Sequence, residues 1–167
     1  MAKIIIVGGS LGGLFAANIL LRQGHDVTLL EKASGSLDGR GAGIVTHDAL
    51  ADALRQAGVV VDNTLGVPVT ERITLGPDGQ SLGMMELPQI LTSWSRLYHM
   101  LKACFPTERY LQGKTVQSVS QTADEVEVIC EDGSSYVAEL LIASDGIRSG
   151  VRAQVAPHIQ PEYAGYI

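Results

Sequence analysis

The chain has 167 residues, with 12 basic against 18 acidic side chains and a formal charge of −6. A composition of 46% hydrophobic and 18% charged residues excludes a disordered tail or a solvated coiled coil, and a pI near 5.1 argues against nucleic acid or an anionic membrane as partner, since both select basic patches. The length fits one domain, or one domain and a fragment of another, and suffices for a core without disulfide or metal. Nineteen glycines in so apolar a chain suggest backbone brought close to another group, such as a phosphate. Cys104 and Cys130 lie in the runs KACF and EVIC, outside any metal-ligand spacing, and read as buried free thiols of a reducing compartment. No apolar run is long enough to span a bilayer, and glycines stop MAKIIIVGGSLGG before a signal-peptide core is complete. The expectation is a soluble cytoplasmic protein.

Lys3–Val7 is a β-branched run ending at Gly8-Gly9, the pattern of a buried strand. Leu11–Arg22 has helical apolar spacing, Gly24 stops it, and Asp26–Glu31 forms a second strand, so the first 31 residues make a right-handed parallel βαβ unit. Ala33–Gly43 is a glycine- and serine-rich loop, and His47–Ala57 reads as a helix capped by Thr46. Gly76-Pro77-Asp78-Gly79 turns a hairpin between Arg72–Leu75 and Leu82–Met85. Thr92 or Ser93 caps a helix through Phe105. Thr115–Gln121, Glu125–Cys130 and Ser135–Ile142 alternate as an antiparallel meander, and Arg148–Val155 is a short helix. Nothing marks a domain boundary, and the four histidines, His25, His47, His99 and His158, are scattered as surface or loop residues.

Gly8-Gly9-Ser10-Leu11-Gly12-Gly13 joins the first strand to the first helix in a dinucleotide-binding frame. There the first glycine permits the turn, the second lets backbone approach a pyrophosphate, and the third lets helix pack on strand. Ser10 replaces the middle glycine, and Glu31 ends the second strand where an acid accepts ribose hydroxyls. The same residues match the G-x-S-x-G nucleophile elbow, with Asp145 and His158 following in triad order. Only seven residues precede Gly8, leaving no earlier strand to supply an oxyanion loop, which disfavours a hydrolase acting through Ser10. Downstream, Leu141–Ala143 delivers Ser144-Asp145-Gly146 and Arg148 to the end of a strand, where open α/β sheets bind ligands.

GGSLGG with Glu31, the loop Asp38-Gly39-Arg40-Gly41-Ala42-Gly43-Ile44 and ASDGIRSGVR resemble the N-terminal part of FAD-dependent aromatic hydroxylases, the single-component flavin monooxygenases. Ser10 and the ending Tyr163-Ala164-Gly165-Tyr166 are most similar to the 2,6-dihydroxypyridine 3-hydroxylase branch. The resemblance implies an α/β fold: a Rossmann-like FAD-binding domain with a parallel sheet and an antiparallel β-meander, incomplete at its C-terminal end. It implies FAD as cofactor, NAD(P)H as co-substrate and hydroxylation of a small aromatic or N-heteroaromatic substrate with O₂. By position, Gly8, Ser10, Leu11, Gly12 and Gly13 would line the FAD pyrophosphate, and Glu31 and Lys32 the adenosine ribose. Arg40, Gly41, Ala42 and Gly43 match the loop near the flavin, and Val116 a strand whose backbone meets the adenine. Arg96 resembles the arginine of an RxxL segment that reaches FAD, although Arg96–His99 lacks the leucine and Leu97 is adjacent. Asp145 and Gly146 match an Asp-Gly motif associated with both cofactors. No side chain here is expected to be catalytic and none to bind metal, because the flavin carries the chemistry.

The family pattern also implies strands of a substrate domain at about 66–90 and 160–167, with Ile167 inside a strand, and a second Gly-Asp motif that does not occur here. An N-terminal fragment, a truncated gene product or one piece of a split protein is therefore expected, with a missing C-terminal half or a second copy of itself as partner. The alternative is a non-catalytic nucleotide-binding module needing a partner chain.

Overall fold

The computed structural model describes residues 1–39 and 41–165. Among the described residues, fourteen helices and strands, with one 3₁₀ turn, follow in order. They are β1 (Lys3–Val7), α1 (Leu11–Arg22), β2 (Asp26–Glu31), β3 (Gly43–Val45), α2 (Asp48–Gln56), β4 (Val67–Leu75) and β5 (Ser81–Ser93). Then come α3 (Trp94–Cys104), a 3₁₀ turn at Thr107–Arg109, β6 (Tyr110–Gln112), β7 (Val116–Gln121), β8 (Val126–Cys130), β9 (Ser135–Ala138), β10 (Leu140–Ala143) and α4 (Gly150–Val155).

A parallel sheet of order β10-β1-β2-β6 forms the centre. Successive side chains of a strand point to opposite faces, and both faces here are covered, which is why β1 is apolar without a break from Ile4 to Val7. Ile4 and Ile6 pack with Val27 and Leu29 against α1, α2 and α3 through Leu14, Leu54, Leu97 and Leu101. Ile5, Val7 and Leu30 pack the other way, against Val126, Val128 and Cys130 of the meander β7-β8-β9. Each such buried aliphatic side chain contributes about 1.5–3 kcal/mol. The buried Asn18 Nδ2 donates to the Leu14 and Leu101 carbonyls, both at 2.9 Å, and so ties α1 to α3. The Rossmann-like α/β fold with parallel sheet and antiparallel meander is present as expected.

Several elements differ from the sequence pattern. Ser135–Ile142 is two strands, not one: β9 completes the meander, and β10 joins the parallel sheet beside β1. Glu139 makes the transfer, its N–H donating to the Lys3 carbonyl at 2.9 Å and its carboxylate accepting the Lys3 N–H at 3.0 Å. The hairpin is much longer than its turn signal implied, and with β3 it forms a third sheet, β3-β5-β4. Strands β3 and β6, three residues each, are too short for alternation to reveal. His47, not Thr46, caps α2, its Nδ1 accepting the Leu50 N–H at 3.2 Å; Thr46 Oγ1 donates instead to the Ile90 carbonyl at 2.9 Å. Ser93 caps α3 by accepting the Arg96 N–H at 3.1 Å. Cys130 is buried, but Cys104 is exposed at the last turn of α3, because the buried face of that helix runs through Leu97 and Leu101. Residues 160–165 form no strand. Tyr166 and Ile167, the end of the segment 160–167, lie outside the described residues.

Candidate functional site

The C-terminal ends of β1, β2 and β10 open onto a cleft of about 560 Å³. Of the residues singled out in the sequence, the fold brings together there Gly8, Ser10 and Gly12 of the first turn, Glu31 and Lys32 at the end of β2, Val116, and Asp145 with Gly146.

The first turn is shaped by contacts only glycine admits. Gly8 has φ +104°, and a Cβ there would overlap the Ser144 carbonyl. Gly13 sits so close to the Gly8 carbonyl that any side chain would collide with it, which packs α1 onto β1. Gly12, by contrast, faces open space in the cleft. Ser10 occupies the N-cap of α1, yet its side chain makes no capping bond, and no acidic residue lies in the first turn. The first-turn amides therefore remain available to an anion at the positive end of a twelve-residue helix.

Glu31 is buried with each carboxylate oxygen engaged: Oε2 accepts the Gly9 N–H at 2.7 Å and Oε1 the Ala33 N–H at 2.8 Å. Each oxygen keeps a second lone pair, and the residue lines the cleft. On the β10 side, the Ser144 hydroxyl lies 3.0 Å from both the Val7 and Gly8 carbonyls. Asp145 accepts the Val151 N–H of α4 at 3.3 Å, so it also serves as a helix-end acceptor. Lys114 lines the cleft and donates to Asp132 at 2.5 Å and to Ser134 at 3.1 Å. That ammonium, with the Ser134 bonds, holds the Asp132 carboxyl far below the usual carboxylate range, and Asp132 raises the Lys114 pKa in turn. Three cations, Lys32, Lys114 and Arg148, line the cleft against the two carboxylates of Glu31 and Asp145, in a chain whose overall charge is −6.

Other expected residues lie elsewhere. Leu11 turns toward the helical core and Gly13 is buried beneath the turn. Gly41, Ala42 and Gly43 are exposed beside the start of α3, where the Trp94 N–H donates to the Ala42 carbonyl at 3.1 Å. Arg40 lies outside the described residues. Arg96 is exposed, and its Nε donates to the Thr64 carbonyl at 3.0 Å, away from the cleft. Trp94 lines the cleft instead. Leu97 and Leu101 define the inner face of α3, and position 94, one turn before Leu97, shares that face where position 96 does not. The absent leucine in Arg96–His99 was the signal of that frame: Trp94-x-x-Leu97 supplies it. Trp94 stacks on Tyr98, with ring centroids 5.1 Å apart and 12° between planes. Nearby, buried Leu37 also lines the cleft, and Asp38 of its loop pairs with His99 of α3 at 2.6 Å. The Ser36 hydroxyl and His99 together lower the Asp38 pKa. Ser144 and Arg148 line the cleft, as their place at a strand end suggested, whereas Lys114 and Trp94 were not singled out from sequence. The hydrolase triad does not assemble, because His158 is exposed and outside the cleft that holds Ser10 and Asp145.

Comparison with known proteins agrees with this geometry. A family described as FAD binding domain matches residues 1–74. The 2,6-dihydroxypyridine 3-monooxygenase of Paenarthrobacter nicotinovorans is 34% identical over 166 residues, covering 99% of this chain and 41% of that protein. The solved structure of 2,6-dihydroxypyridine-3-hydroxylase from Arthrobacter nicotinovorans superposes with TM-score 0.88 at 33% identity, over 98% of this chain and 42% of that one. Over nearly its whole length this chain is similar to part of an FAD-dependent aromatic hydroxylase. It spans about two-fifths of the length of that monooxygenase. An aurachin C monooxygenase/isomerase of Stigmatella aurantiaca is 29% identical over 98% of this chain and 45% of its own length. Klebsiella pneumoniae HpxO, solved with FAD and uric acid, shares the fold with TM-score 0.76 at 24% identity, over 90% of this chain and 41% of that one. What the chain carries is an FAD-binding domain of the kind found in FAD-dependent monooxygenases, and among its described residues no helix is long and apolar enough to cross a membrane.

Proposed function

We propose that this chain binds FAD in the cleft at the ends of β1, β2 and β10, as the cofactor-binding portion of a monooxygenase that hydroxylates an aromatic or N-heteroaromatic ring with NAD(P)H and O₂. The convergence of the uncapped α1 start, Glu31 and Ser144-Asp145-Gly146 on one cleft carries the reading. The residues fit the cofactor: a helix start free of acids suits a diphosphate, and a buried carboxylate with spare lone pairs suits ribose hydroxyls. When bound, the flavin supplies hydride acceptance and oxygen activation. The chain's own part is to bind, orient and exclude water. Amides of the turn and the Ser10 hydroxyl hold the diphosphate, Glu31 and Lys32 the ribose, and the Val116 backbone the adenine. Lys114 and Arg148 add positive charge along the wall, and Leu37 and Trp94 close it with apolar surface. The sheet β3-β5-β4 would begin the domain that covers the substrate.

The test is a titration of the purified protein with FAD, followed by its visible spectrum and by flavin fluorescence. Stoichiometric uptake is expected; a colourless protein that takes up no FAD defeats the reading. One observation favours a second reading, a nucleotide-binding module that works with a partner chain: the β4–β5 ribbon exposes Leu75, Leu82 and Met84 at 62%, 71% and 70%. Sedimentation separates the two, since a strictly monomeric species at high concentration that still binds FAD removes the need for a partner.

A further inference from the structure

Both backbone polar atoms of Gly9 are held by side chains from other strands. Its N–H donates to Glu31 Oε2 at 2.7 Å, and its carbonyl accepts the Tyr110 hydroxyl at 2.9 Å. Tyr110 comes from β6, 101 residues downstream, and is buried under the turn so closely that a Cβ on Gly9 would overlap its hydroxyl. The Tyr98 hydroxyl lies 3.3 Å from that of Tyr110. Because Tyr110 has one proton and gives it to Gly9, Tyr98 is the donor in this pair. The Lys102 ammonium stands 5.4 Å from the Tyr98 ring centre and 4.8 Å from that of Tyr110, fixing both rings. Burial, with the Tyr98 hydroxyl and the Glu31 charge, pushes the Tyr110 pKa well upward and keeps it a donor.

A trans peptide is planar, with its C=O and N–H pointing in opposite directions. Turning the Gly9 carbonyl inward onto Tyr110 therefore turns the Ser10 N–H outward, at a residue that lines the cleft. We propose that Tyr110 is a positioning residue of the cofactor site: it presets the Gly9–Ser10 peptide so that the Ser10 amide faces a diphosphate before one arrives. This rests on the reading of the cleft as an FAD site. Such presetting removes an ordering cost from binding, and its loss is expected to weaken diphosphate ligands about tenfold.

The experiment compares wild type, Tyr110→Phe and Tyr98→Phe, each titrated with FAD, ADP and adenosine by calorimetry and ligand-observed NMR. Tyr110→Phe should weaken FAD and ADP about tenfold and adenosine less than about twofold, since adenosine lacks the diphosphate. Tyr98→Phe, which removes a hydroxyl from the same buried pair but not the bond to Gly9, should weaken ADP less than about threefold. Unchanged ADP affinity in Tyr110→Phe, or equal losses for ADP and adenosine, overturns the proposal and leaves the FAD reading standing. A wild type that binds neither FAD nor ADP overturns both. A second measurement needs no variant: in ¹⁵N-labelled wild type, ADP should shift the Ser10 amide resonance more than that of Gly9, whose N–H is committed to Glu31. The reverse order also overturns the proposal.

Discussion

In the parallel sheet Ile4, Ile5 and Ile6 are 2%, 1% and 0% exposed, whereas on the β4–β5 ribbon Ile73 is 51% exposed, with Leu75, Leu82 and Met84 more so. The residue types are the same, and only the cover differs. Strand β1 has helices on one face and the meander on the other, so each side chain is fixed by packing. The ribbon is held by its ladder and by a tight turn, in which the Gly76 N–H donates to the Gln80 carbonyl at 2.8 Å and Gly79 takes φ +78°. Apolar content thus marks a strand in both places, but it marks a core only where a second layer exists to bury it.

Substitutions matched between these regions test that contrast. The largest effect is expected at Gly13: alanine would collide with the Gly8 carbonyl and should cost about 3 kcal/mol or more in urea unfolding. Alanine at Gly83 of the ribbon meets open space and should change stability by less than about 1 kcal/mol. A tolerated Gly13→Ala would break the picture of a turn locked between strand and helix. Next, Ile6→Ala should cost about 2–5 kcal/mol by the same measurement and Ile73→Ala under about 1 kcal/mol; equal losses would show that the ribbon is packed in solution. Glu31→Gln replaces an acceptor of two N–H groups by an amide that can serve only one of them through oxygen. It should cost about 1.5–3 kcal/mol in thermal unfolding and weaken FAD binding, and an unchanged melting temperature would count against the clasp.

The smallest effect is pH-dependent. Because Lys114 and Ser134 lower the Asp132 pKa in the folded protein, the pair stabilises above the ordinary value of 3.8 and the contribution fades as pH falls through the lowered one. The raised pKa of Lys114 keeps its contribution whole below the ordinary 10.5 and lets it fade above. Melting curves of wild type and Asp132→Asn should therefore differ slightly near neutrality and converge toward pH 2. A difference that grows in acid would contradict the pairing.

Local rules made the first 31 residues readable. An apolar run, a glycine turn, a helical period and an acid at a strand end are all short-range signals, and α1 falls at Leu11–Arg22 where its spacing placed it. The Asp145-Gly146 turn was legible for the same reason, as a strand running into a turn. What the pattern could not show depends on partners distant in the chain. Glu139 sends the chain from one sheet to another because Lys3 waits with a free N–H and carbonyl, and nothing around residue 139 announces it. Tyr110 reads as an ordinary aromatic until β6 pairs with β2 and brings its hydroxyl under Gly9. Trp94 displaced Arg96 from the cleft because the inner face of α3 is chosen by what α1 packs against. By itself the sequence determined that a strand–turn–helix unit with a dinucleotide frame would form. Tertiary structure decided which side chains stand at that turn, because long-range contacts select them by geometry and not by spacing.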